Sequence, residues 1–118
     1  MPQLIFVYGS LKRGYALHSL LHGQLFLGNA VTTPKYRMFD LGSYPGLVAC
    51  SEGLAVHGEV YQVDANTLHR LDEAEGVAEG LYARRGIELQ SDFVHSSVHA
   101  WFWLGDVSGK SDCGARWP

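Results

Sequence analysis

Two short stretches of this chain combine residue types and spacings that suit chemistry. The first, Phe6-Val7-Tyr8-Gly9-Ser10-Leu11-Lys12-Arg13-Gly14, stops a β-prone apolar run at a Gly-Ser pair. Gly9 to Gly14 keeps the spacing of a nucleotide P-loop as far as its second glycine, then continues Tyr15-Ala16 where such a loop needs Lys followed by Ser or Thr. The phosphate reading fails at that point. What remains is a glycine that lets the backbone turn or approach a ligand closely, followed by N–H groups able to form a small anion-binding nest. A carboxylate suits such a nest, although taken alone the same residues also describe a plain strand-ending turn.

The second stretch is Leu71-Asp72-Glu73-Ala74-Glu75-Gly76. By itself it reads as a solvated acidic helix end, with one unusual feature. Carboxylates favour helix N-termini, whereas Glu75 falls at the C-terminal end, where the helix dipole and Asp72 one turn back both oppose its ionisation. With partial burial its pKa rises toward the range of a general base near neutral pH, unless Arg70, Arg84 or Arg85 reaches it. The remaining reactive side chains fit known sites poorly. His18 and His22 lack the adjacent Glu of a zincin helix, and His95 and His99 have no evident third ligand. Ser10 lacks a G-x-S-x-G context, and Cys50 and Cys113 have neither metal-type spacing nor a disulfide framework around them.

The elements that must position these stretches are mostly strands. Strands are expected at 4–8, 25–33, 36–40, 46–50, 55–63, 82–89 and 94–104, separated by scattered glycines that act as turn punctuation. Many short strands with few helices predict a closed or nearly closed barrel. A short helix is expected in Tyr15 to Gly23 and a better one in Val63 to Gly76, with Asp64 as N-cap, Leu68 and Leu71 on one face, and Gly76 as the left-handed residue past its end. In the aromatic stretch, alternation puts Trp101 and Trp103 on one face and Phe102 on the other, which favours core packing over an exposed contact surface.

Composition narrows the function classes. The 118 residues suit a single domain spanning 1–118. Nine Lys plus Arg against twelve Asp plus Glu give a formal charge of −3, with no basic stripe, so nucleic acid is not an expected partner. Leu4 to Tyr8 is too short for a signal h-region, and no later run approaches a membrane span. A cytoplasmic protein without a membrane partner is the expectation.

Taken in order, Tyr8-Gly9-Ser10-Leu11-Lys12-Arg13-Gly14 after a first strand and Leu71-Asp72 with Glu75-Gly76 after a later one resemble the gamma-glutamylcyclotransferase-like family. The likeness is closest to its short branch of gamma-glutamylamine cyclotransferases and AIG2-like proteins, and it extends through Gly58 to Asp64 and Leu81 to Arg85. The resemblance implies an α+β fold, a small mixed β-barrel with flanking short helices and a cavity at one end. It implies a transferase or lyase chemistry that releases an amine from a gamma-glutamyl compound while the glutamyl part closes to 5-oxoproline. Position by position, it implies Glu75 as the catalytic residue and Tyr8, Gly9, Ser10, Leu11 and Tyr82 as substrate-binding residues. Gly114-Ala115-Arg116-Trp117 stands where the family has a Gly-Asp-Trp-like segment, leaving Trp117 as a lid or a packing residue.

The chemistry accounts for these residue types. A gamma-glutamyl group carries its own nucleophile, the α-amine, so the protein must hold the chain folded, take a proton from an ammonium and return one to the departing amine. One carboxylate can make both transfers, and neither a metal nor an organic cofactor has a role. The alternative is a non-catalytic module of the same fold that binds a small acid or a peptide; turnover of a gamma-glutamyl amine separates the two.

Overall fold

The computed structural model describes residues 2–15 and 17–118. Its centre is β1 (Gln3–Val7), an apolar run covered on both faces. Alternation explains the double burial. Phe6 points into one cluster with Met38, Leu47, Val60 and Phe102, while Ile5 and Val7 point into another with Tyr61, Val63, Leu71 and Trp101.

Around β1 the chain adds β2 (Leu25–Val31), β3 (Tyr36–Asp40), β4 (Pro45–Ala49), β5 (His57–Val63), α1 (Ala65–Ala74), β6 (Tyr82–Gly86) and β7 (Val98–Trp103). Five strands form one mixed sheet in the order β2-β5-β1-β7-β6, with β1 antiparallel to β5 and parallel to β7. β3 and β4 form a separate antiparallel hairpin. Its Met38 and Leu47 fill the first cluster, whereas Leu71 carries α1 into the second. The sheet therefore lies between the hairpin and the helix.

Of the expected closed or nearly closed barrel, closure is not found. Among the described residues the five-stranded ladder is open, with β2 and β6 as its edges. The edges meet only beyond their ends, at the isolated bridge Thr32↔Leu89, flanked by hydrogen bonds from Thr33 N–H to the Glu88 carbonyl and from Gln90 N–H to the Val31 carbonyl. The reason is strand length. β2 stops at Val31 and β6 at Gly86, short of the expected ends, so no continuous β2–β6 ladder forms.

Helix α1 forms as its caps dictate. The Asp64 carboxylate accepts from Thr67 N–H at 2.7 Å, and Gly76 takes φ +69°, the conformation that lets the chain turn back after a helix. The expected helix at 15–23 is only a single 3₁₀ turn at His18–Leu21; its Ala16 lies outside the described residues. The aromatic strand is shorter than expected, since a 3₁₀ turn at Ser91–Phe93 precedes it and Val98 is its first residue. Its alternation holds, with Phe102 in the hairpin-side cluster and Trp101 in the helix-side cluster.

Candidate active site

The loop after β1 is organised by its carbonyls. Gly9 accepts from Lys12 N–H at 3.0 Å, Ser10 from Leu17 N–H at 2.8 Å, and Leu11 from His18 Nδ1 at 3.0 Å. All three carbonyls are thus turned onto protein donors. The N–H groups of Gly9, Ser10 and Leu11 have no protein acceptor among the described residues. The structure gives a packing reason for Gly9: its φ is not positive, but a Cβ there would lie 2.7 Å from Pro45 Cγ, so the first residue of β4 packs directly on the glycine.

Opposite the loop stands Glu75, the residue that ends α1, with its own N–H bonded back to the Leu71 carbonyl. A cavity of about 210 Å³ separates them, lined by Tyr8, Gly9, Ser10, Leu11, Glu75 and Tyr82, every site residue expected from sequence. Burial, and next the charge of Asp72, push the Glu75 carboxyl up from its ordinary 4.5 to about 7. No donor among the described residues bonds its oxygens, and Glu75 is the only ionisable carboxylate, ammonium, guanidinium or imidazole side chain lining the cavity.

The two tyrosines frame this carboxyl with hydroxyls already committed. Tyr8 donates to the Trp101 carbonyl at 2.7 Å and Tyr82 to the Pro45 carbonyl at 2.8 Å. Burial raises both phenols, Tyr8 with further contributions from Tyr82 and Glu75, and Tyr82 with one from Glu75. They remain neutral walls. The site also contains residues not anticipated from sequence: Leu17, Tyr44, Pro45, Leu81 and Trp101. Tyr44-Pro45 at the mouth of a strand was a visible signal, since a proline there cannot pair in a central ladder. Leu17 presents an apolar wall.

Trp117 does not line the cavity. It packs against the hairpin-side cluster, and its carbonyl accepts from the Lys12 ammonium and the Tyr15 hydroxyl, each at 3.0 Å. The lid reading is therefore corrected to packing. A wider groove of about 500 Å³, lined by Lys12, Tyr15, His57, Glu59 and Arg116 among others, opens on the other side of the same loop and contains none of the expected site residues. The histidines are dispersed: His18 bonds the Leu11 carbonyl, His69 faces Glu73, and His99 meets Arg84. Among the described residues no three His, Cys, Asp or Glu side chains converge as a metal site requires, both cysteines are free, and no helix is long and apolar enough to cross a membrane.

A mixed sheet carrying a glycine loop and a buried helix-end carboxylate across one cavity defines an α+β domain of the gamma-glutamyl cyclotransferase type. The chain belongs to the gamma-glutamyl cyclotransferase, AIG2-like family, which it matches over residues 5–117. It is 48% identical over 105 residues, 88% of this chain and 83% of the other, to a Vibrio cholerae protein provisionally named a gamma-glutamylcyclotransferase. Among solved structures it resembles the Escherichia coli protein ytfP, with a TM-score of 0.72 and 34% identity over 98% of this chain and 96% of that one. A mouse AIG2-like protein superposes with a TM-score of 0.73 at 28% identity, over 88% of this chain and 77% of the other.

Proposed function

We propose that the protein is a gamma-glutamyl cyclotransferase that frees an amine or amino acid from a gamma-glutamyl compound and leaves 5-oxoproline. The observation that carries this reading is Glu75, buried, raised to about 7 and without a cation against it, facing the loop N–H groups across the cavity. Such a carboxyl exchanges protons near neutral pH in both directions.

The substrate's α-carboxylate would sit on the N–H groups of Gly9, Ser10 and Leu11, which bends the glutamyl chain so that its α-nitrogen approaches the γ-carbonyl carbon. Ionised Glu75 takes a proton from the α-ammonium. The freed amine attacks the γ-carbonyl and the new C–N bond closes the five-membered ring; the old amide C–N bond breaks as Glu75 returns the first proton to the departing nitrogen, and the second proton, shed by the ring nitrogen, leaves with the freed amine as its ammonium. Tyr8, Tyr82 and Trp101 wall the reacting atoms from water, and no outside nucleophile enters the balance.

Incubation with a panel of gamma-glutamyl amines and gamma-glutamyl amino acids, with 5-oxoproline followed by mass, tests the reading. Turnover of at least one member is expected, and it should survive exhaustive chelation, because both proton transfers are assigned to Glu75. Binding of the panel without release of 5-oxoproline would instead identify a non-catalytic module of the same fold.

A further inference from the structure

Arg84 lies two residues beyond the cavity residue Tyr82 on β6, and the structure shows where it goes. Tyr82 and Arg84, two residues apart on β6, point to the same side of the strand; Tyr82 reaches the cavity while Arg84 reaches α1 one turn before Glu75. Its Nε and Nη2 donate to Asp72 Oδ1 and Oδ2 at 3.0 and 3.3 Å, and its Nη1 donates to His99 Nδ1 on β7 at 2.7 Å. Asp72 is fixed in turn by Trp101, whose Nε1 donates to the same Oδ1 at 2.9 Å. Two elements, α1 and β7, therefore hold the guanidinium that β6 presents. Side chains three apart on a helix have Cβ atoms roughly 5–6 Å from each other, so Arg84 is parked one step from the Glu75 carboxyl.

We propose that Asp72 is a positioning residue for the reaction assigned to Glu75: it retains Arg84 between itself and His99, so that no cation pairs with the Glu75 carboxylate. This rests on the reading of Glu75 as the proton-transfer group, but the device itself concerns only its ionisation. The other titratable groups facing Glu75 are Tyr8 at the end of β1, Tyr82 on β6 and Tyr44 beside β4, all phenols that carry no positive charge in any state. The pair Asp72 and Arg84 thus decides the local charge balance. Burial and the neighbouring guanidinium lower the His99 pKa, which keeps the ring neutral and able to accept from Arg84 at neutral pH.

The direct test is a pH titration of the Glu75 side-chain carboxyl carbon by NMR in the full chain, carried out without substrate on wild type, Asp72→Asn, Arg84→Gln and the double variant. Asp72→Asn removes one repelling charge and releases Arg84, so the Glu75 midpoint should fall by at least about one pH unit, a tenfold change in its ionisation ratio. Arg84→Gln should raise it, and the double variant should lie above Asp72→Asn alone. An unchanged midpoint in a folded Asp72→Asn protein, or a double variant that titrates like Asp72→Asn, would overturn the proposal. Should Asp72→Asn fail to fold, Arg84→Gln still decides: a lowered Glu75 midpoint there contradicts the device, and a raised one supports it. The acidic limb of kcat/KM should move with the NMR midpoint. Midpoints that move as expected beneath an unmoved rate profile would retain the Asp72 device and reject Glu75 as the proton carrier.

Discussion

Glu75 is defined by what surrounds it. Glu75→Gln keeps the shape and neutral form of the buried side chain but cannot carry a proton, so kcat should fall by at least about a hundredfold with little change in substrate binding. Glu73→Gln is the internal control, because helical geometry turns it about 200° away from Glu75 and its side chain is exposed beside His69. Steady-state kinetics of the two variants check this; equal losses would implicate general negative charge. The raised pKa also has a stability consequence. The unfolded carboxyl ionises near 4.5 and the folded one near 7, so the native state binds the extra proton and loses stability as pH rises through that interval. Relative to wild type, Glu75→Gln should therefore gain up to roughly 3 kcal/mol between pH 4 and pH 8, read from denaturant unfolding at the two pH values.

At the scale of elements, the site depends on two junctions. Gly76 ends α1 with φ +69°, and a Cβ there would also meet Leu81 Cδ1 at 2.8 Å. Gly76→Ala should cost about 1 kcal/mol or more and should also disturb the angle at which the helix presents Glu75, lowering Tm and turnover together. The other junction is Gly9 against Pro45, whose carbonyl receives the Tyr82 hydroxyl. Even Gly9→Ala places an atom 2.7 Å from Pro45 Cγ. It should displace the hairpin end and raise KM, with near-UV circular dichroism reporting the shifted Tyr82. A variant with unchanged KM would reduce the loop to a simple turn.

At the scale of the whole molecule, β5 pairs with β1 at the middle of the sheet, and a Cβ on Gly58 would stand 2.4 Å from the Val7 carbonyl oxygen and 2.5 Å from Phe6 Cζ. Gly58→Ala should force these strands apart at a cost of about 1–3 kcal/mol, measurable as a lowered denaturation midpoint. Because β1 leads straight into Tyr8 and Gly9, the damage should extend to substrate binding. The edges of the same sheet touch at Thr32, which is fully buried, accepts from Val56 N–H and donates to the Thr33 carbonyl. The Thr32 hydroxyl thus ties the end of β2 to the residue before β5, while the Gln90 side chain, donating to the Thr32 carbonyl at 2.8 Å, links the two edges.

Local chemistry was legible without coordinates. Asp64 and Gly76 bracket α1 because a side-chain acceptor and a left-handed residue satisfy the helix's own unpaired groups, and the alternation of Trp101, Phe102 and Trp103 follows from the pleat of any strand. The helix-end position of Glu75 and the turn after Tyr8 belong to the same class of local signal. Long-range choices did not. Whether the strands close into a barrel depends on where β2 and β6 stop, which their own propensities do not determine, and the ladder stays open. That Gly9 is required by Pro45, that Trp117 packs away from the cavity, and that Arg84 is held by Asp72 and His99 instead of reaching Glu75 all depend on partners far away in the chain. Propensity and spacing act over a few residues, whereas a pKa, a close approach or a closed sheet is set by atoms that only the tertiary fold brings together.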